Sequence, residues 1–86
     1  MRIGFMGSPQ YSVPTLWALI NNGFTVPVVY TQPPRPKGRG KKLSPCPVHV
    51  AADDLNIPVL NPINFKHPAD IITLQNYNLD MLVVVA

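Results

Sequence analysis

The seven residues Asp80-Met81-Leu82-Val83-Val84-Val85-Ala86 constrain the fold more than any other stretch, because every side chain after the leading aspartate is apolar and nothing alternates. A strand with one wet face alternates. A strand that does not is buried on both faces, as in a parallel sheet covered by helices on both sides. The remaining sequence supplies matching parts. Arg2 to Met6 is a short apolar run closed by Gly7-Ser8-Pro9, a strand ending in a turn. Val13, Leu16, Trp17 and Ile20 come next at i, i+3, i+4 and i+7, the apolar stripe of an amphipathic helix with Trp17 on its core side. Ser12 is placed to cap this helix, Pro14 falls in its first turn, and Asn22-Gly23 ends it with a residue suited to a left-handed conformation. Thr25 to Thr31 is β-branched and aromatic, and because Pro27 cannot donate to a ladder, the second strand is expected from Val28 onward. Strand, helix and strand at this spacing make a right-handed βαβ unit.

Pro47 opens a second helix, supported by Val48, Ala51, Ala52 and Leu55. Ile57 to Leu60 is a short third strand near an edge, and Pro68 to about Tyr77 a weaker helix with Ile71, Ile72 and Leu74 as its apolar members. The sum is a Rossmann-like, doubly wound α/β sheet, in which ligands bind outside the carboxyl ends of the strands. The fourth strand, expected to be central, comes last and lacks the loop that should succeed it. Residues 1–86 therefore read as a domain truncated after its fourth strand.

An apolar content of 47% with 13% charged residues is that of a chain with a core. The single cysteine, Cys46, excludes an internal disulfide, and no second cysteine or histidine pair offers metal-ligand spacing, so no metal is expected. With no apolar leader and no run of about 18 apolar residues, the chain is expected to be cytoplasmic and to make no membrane contact.

The net charge of +3 conceals a cluster, since Arg35, Lys37, Arg39, Lys41 and Lys42 are five of the seven cations, and the two others face four acids elsewhere. They lie in residues 33–43 (PPRPKGRGKKL), which have no apolar period and read as an irregular loop. Eleven residues joining a strand to a helix, where about 2–6 is usual, point to a functional segment. Prolines 33, 34 and 36 stiffen one limb, while Gly38 and Gly40 free the backbone around Arg39. An arm with five cations and no acid is suited to phosphate, the group that supplies most nucleic-acid affinity.

Other motifs are weaker. Gly4-Phe5-Met6-Gly7-Ser8-Pro9 lacks the G-x-G-x-x-G of dinucleotide sites, and no G-x-x-x-x-G-K-[ST] occurs. Gly7 suits a tight turn, yet that turn lies where this fold admits substrate, which makes Gly7, Ser8 and Tyr11 candidates for a pocket wall. His49 and His67 have no partner at ligand spacing and read as surface or capping residues, and Cys46 occupies the N-cap slot before Pro47.

Four blocks resemble the methionyl-tRNA formyltransferases in order and spacing: MRIGFMGSPQYSVPTL at the start, TQPPRPKGRGKKLSPCPV from Thr31 to Val48, IPVLNP at 57–62 and DMLVVVA at the end. The second block is the specific one, since amino-sugar and glycinamide-ribonucleotide formyltransferases share the fold without this form of basic loop. The resemblance implies transfer of a formyl group from 10-formyltetrahydrofolate to the amino group of methionyl initiator tRNA, by a protein monomeric at full length and cytoplasmic, or in an organelle matrix in a eukaryote. It carries Arg35, Lys37, Arg39, Lys41 and Lys42 over as tRNA contacts, with Arg39 at the tip. It matches Gly7, Ser8 and Tyr11 to the substrate-side turn. It places the acid–base asparagine, histidine and aspartate after residue 86, so no catalytic residue is expected in this chain. Pro34, Ser8, Gln10, Tyr11 and Cys46 stand where the family usually has aspartate, threonine, aspartate, phenylalanine and serine. A free-standing RNA-binding module and an amino-sugar or purine-pathway formyltransferase are the rival readings.

Overall fold

The computed structural model describes residues 1–37 and 42–85, with the backbone alone at Arg35, Lys37 and Lys42. Four parallel strands form the main sheet: β1 (Ile3–Met6), β2 (Val29–Tyr30), β5 (Val59–Leu60) and β6 (Met81–Val84), in the order β5-β2-β1-β6. Helices α1 (Val13–Asn21), α2 (Pro47–Asp54) and α3 (Pro68–Asn76) alternate with them. The expected Rossmann-like α/β arrangement is therefore present, with β5 at an edge as its proline foretold.

Register explains the core. Phe5 lies opposite Val29 on one side and Val83 on the other, so these three side chains share a face of the sheet. That face is covered by Val13 and Leu16 of α1 and by Val48, Ala51 and Ala52 of α2. On the opposite face Gly4 leaves room for the leucines beside it, because a Cβ there would lie 2.5 Å from Leu79 Cδ1 and 3.0 Å from Leu82 Cδ1. Arg2 ties the start of β1 to the end of α3: its guanidinium donates to the Tyr77 carbonyl at 2.7 Å, and its backbone N–H donates to Asp80 Oδ2 at 2.7 Å. Gly23 has φ +83°, as expected after α1, while Asn56 (φ 58°) and Asn78 (φ 51°) take the same left-handed role after α2 and α3.

Several expectations are corrected. Trp17 is half-exposed, because the buried stripe of α1 runs through Val13 and Leu16 toward Leu19 and Ile20, leaving the i+4 position on the flank. Ser12 makes no cap bond: it is already helical (φ −83°, ψ −20°) at the end of a 3₁₀ turn over Gln10–Ser12, whereas a capping side chain needs an extended backbone. In α3 no residue is buried, and Ile71 and Ile72 are exposed. β6 pairs with β1 alone and has an unpaired edge among the described residues, as expected for the truncated sheet, but Met81 and Val84 are half-exposed where burial on both faces was expected; an unbroken apolar run reports apolarity, not the number of neighbours. The loop at 33–43 contains two strands, β3 (Arg35–Lys37) and β4 (Lys42–Ser44), paired antiparallel with Arg35 opposite Ser44 and Lys37 opposite Lys42. Apolar periodicity could not reveal them, since Leu43 is the one apolar side chain besides Pro36 in the two strands, and it is exposed. Pro36 is tolerated because a two-stranded ladder leaves one edge of each strand unpaired.

Candidate functional site

The carboxyl ends of all four main strands open into one cleft of about 410 Å³. Chain order runs outward from β1 through β2 to β5 and then returns to β6 on the other side of β1, so the sheet reverses between β1 and β6. A doubly wound sheet binds its ligand at such a reversal. Val85 N–H donates to the Met6 carbonyl at 2.9 Å, keeping these two strands together up to the cleft floor.

The turn after β1 forms one wall. Gly7 N–H donates to the Tyr30 carbonyl at 3.0 Å, and a Cβ on Gly7 would lie 3.2 Å from the Phe5 ring, from Ser12 Cβ and from Ser12 Oγ. A larger residue would thus be tight at this turn for lack of space, not because of an unusual φ. Ser8 is the junction of three elements: its hydroxyl accepts from Gln32 N–H at 2.9 Å and its carbonyl from Val48 N–H at 3.4 Å, joining the turn to the end of β2 and to α2. Gly7 and Ser8 line the cleft, whereas Tyr11, in the 3₁₀ turn and 58% exposed, is not among its lining residues.

The opposite wall comes from Tyr30, Thr31 and Gln32 and from Ile63, Asn64 and Phe65. The sequence alone singled out none of these. The first three were recoverable, because they end a strand in a fold that binds ligands at strand ends; the segment before α3 gave no signal. Tyr30 and Phe65 meet with ring centroids 5.4 Å apart and planes inclined by 52°. Among the described lining residues Tyr30 alone has a titratable side chain, and its hydroxyl is buried with no hydrogen-bond partner. Burial raises its pKa above 10.0, and Tyr77 and then Asp70 add to the effect.

This yields a stability prediction. The folded pKa exceeds the unfolded one, so the stabilisation is fully present below pH 10 and is lost as pH rises through the folded value. Urea midpoints are expected to fall in that range for the native chain and to fall less for Tyr30→Phe. At pH 7 Tyr30→Phe is expected to be neutral or stabilising by up to about 1–3 kcal/mol, since it removes an unsatisfied buried hydroxyl. A loss of stability at pH 7 would show that the hydroxyl has a partner.

The basic hairpin begins at the cleft. Gln32 is both a lining residue and the last residue before Pro33, and the return strand β4 leads through Pro45 to Cys46 at the N-cap of α2. Arg39 and Lys41 lie outside the described residues. Cys46 is buried and makes no side-chain cap bond. His67 caps α3, its Nδ1 accepting from Ala69 N–H at 3.1 Å. His49 does have a neighbour, Asp53, with Nε2 3.6 Å from Oδ2 one helical turn away. Neither histidine lines the cleft. Among the described residues no three His, Cys, Asp or Glu gather as metal ligands, and no helix is long and apolar enough to cross a membrane.

No protein-family model matches the chain. Curated relatives do, over its whole length. It is 56% identical to the methionyl-tRNA formyltransferase of Sinorhizobium medicae, 50% to that of Novosphingobium aromaticivorans and 48% to that of Citrifermentans bemidjiense, covering 28%, 29% and 27% of those proteins. The chain thus spans a little over a quarter of the length of the relatives it matches.

Proposed function

Since the chain is homologous over its whole length to the amino-terminal part of the methionyl-tRNA formyltransferases, we propose that it forms the substrate-entry part of such an enzyme's catalytic domain: a cleft floor joined to an RNA-gripping arm. The reaction is transfer of a formyl group from 10-formyltetrahydrofolate to the amino group of methionyl initiator tRNA. The observation that carries this reading is the sharing of Gln32 between the cleft at the strand ends and the foot of the arm. Phosphates held by Arg35, Lys37, Arg39, Lys41 and Lys42 bring the end of the bound RNA toward the turn at Gly7 and Ser8, with Tyr11 beside it. The work is done in the bacterial cytoplasm, by a protein acting as a monomer.

In the chemistry a new bond forms between the amine nitrogen and the formyl carbon, the bond from that carbon to the folate nitrogen breaks, and the amine gives up a proton. A base within hydrogen-bond reach has to accept that proton. The described lining offers only the Tyr30 phenol, whose raised pKa keeps it protonated, so this part binds and orients while the acid–base group belongs to the sequence that the relatives carry beyond it. The 86-residue chain is accordingly expected to bind methionyl initiator tRNA without formylating it. Affinity should fall with salt by up to roughly 0.7–0.9 log units per log unit of salt for each phosphate contact. Binding is read by anisotropy of labelled tRNA, and transfer by acid-gel mobility of the aminoacyl-tRNA. Salt-independent binding would overturn the role of the arm, and turnover above a protein-free blank would overturn the division of labour.

A further inference from the structure

Trp17 is 50% exposed, although the indole is the largest side chain in the protein. It lines a shallow groove of about 360 Å³ together with Val13, Pro45, Pro47, Val50 and Asp54. The groove begins where the arm rejoins the body: Pro45 directly succeeds β4, and Lys42 is three residues earlier, about 10 Å of extended chain. A nucleic-acid strand whose phosphates are held by the arm therefore has its next bases within reach of the groove. An exposed indole flanked by proline rings and valine offers a flat apolar surface, and stacking on such a surface is open to any base because every base has a π face. Asp54 adds discrimination. Its carboxylate repels phosphate but accepts hydrogen bonds, so it favours a base whose exocyclic amino group can donate to it, whereas uracil has only its ring N3–H to offer.

We propose that Trp17 is a stacking platform for an unpaired, amino-bearing base of the RNA held by residues 33–43, with Asp54 as the acceptor for its amino group. This rests on the reading of the arm as an RNA contact and extends it to a second surface, outside the cleft. Pro45 and Pro47 line the same groove and lie next to the foot of the arm in sequence, so stacking and phosphate contact can engage one strand together.

Trp17 is the only tryptophan in the sequence, so its fluorescence reports on the groove directly. The 86-residue chain is titrated with an RNA stem carrying a single-stranded tail of adenosines or of uridines. The expected result is that the adenosine tail quenches indole emission by about half or more, and that Trp17→Ala weakens its binding roughly fivefold or more while Trp17→Phe restores most of it. Asp54→Asn should reduce the preference for adenosine over uridine. If Trp17→Ala binds as the native chain does while Lys41→Ala/Lys42→Ala binds more weakly, the platform is wrong and the arm stands. If neither variant changes binding, both are wrong. If indole emission is already shielded in RNA-free protein and concentration-dependent, a protein surface covers Trp17 and the proposal falls.

Discussion

Phe5→Ala is expected to cost about 3–5 kcal/mol of folding stability and to lower the urea midpoint sharply. Phe5 is wholly buried, and its register against Val29 and Val83 places it where α1 and α2 both meet the sheet. Truncating a buried phenylalanine costs about 3–5 kcal/mol through lost transfer energy and the cavity left behind. A chain of this size has roughly 4–13 kcal/mol of total stability, so the loss consumes a large share of it. The measurement is urea unfolding monitored by circular dichroism, with Trp17→Ala as the comparison; that half-exposed side chain should cost far less. An unchanged midpoint in Phe5→Ala would mean that the sheet face assigned to the core is the wrong one.

The second large effect concerns recognition and is best measured in a protein of the relatives' full length. Arg39 stands between Gly38 and Gly40, and its planar guanidinium has five donors that can meet phosphates or base edges. Arg39→Ala is expected to cost on the order of 1–3 kcal/mol, preferentially with initiator tRNA. Lys41→Ala/Lys42→Ala should instead weaken every tRNA alike and flatten the salt dependence, because a lysine acts toward phosphate as a point charge. The ratio of affinities for initiator and elongator methionyl-tRNA separates the two. If that ratio is unchanged in Arg39→Ala while affinity drops, the arm supplies charge without specificity.

The sheet was legible because its signals are local. Apolar runs, one helical stripe per crossover and Gly23 sufficed for β1, α1, β2, α2 and the order of the later elements. Three features were not legible, each for a physical reason. The β3–β4 hairpin is built mainly from polar and charged residues, so it left no mark in the apolar pattern. The exposure of Trp17 depends on how α1 is rolled about its axis on the sheet, a tertiary quantity that an i+4 spacing leaves undetermined. The exposure of Met81 and Val84 on β6 depends on what packs over that strand, which its unbroken apolar run leaves undetermined. The cleft was half legible: Gly7 and Ser8 lie on a turn that the fold rule picks out, while Asn64 and Phe65 arrive from a segment with no periodicity and reach the site only through the path before α3. The ties made by Arg2 to Tyr77 and Asp80 span more than seventy residues and could not be read from neighbours in sequence.

The bond from Gln32 N–H to the Ser8 hydroxyl has a consequence for how two ligands sense each other. One end of that bond is the residue from which the arm departs, and the other is the turn that walls the cleft. If the proposed reading holds, RNA on the arm and a small molecule in the cleft share this bond, and ordering either end lowers the entropy left to be lost at the other. By reciprocity, whatever factor the RNA adds to the affinity of the small molecule, the small molecule returns to the RNA. On that reading a single hydroxyl links occupancy of the cleft to the loading of the arm.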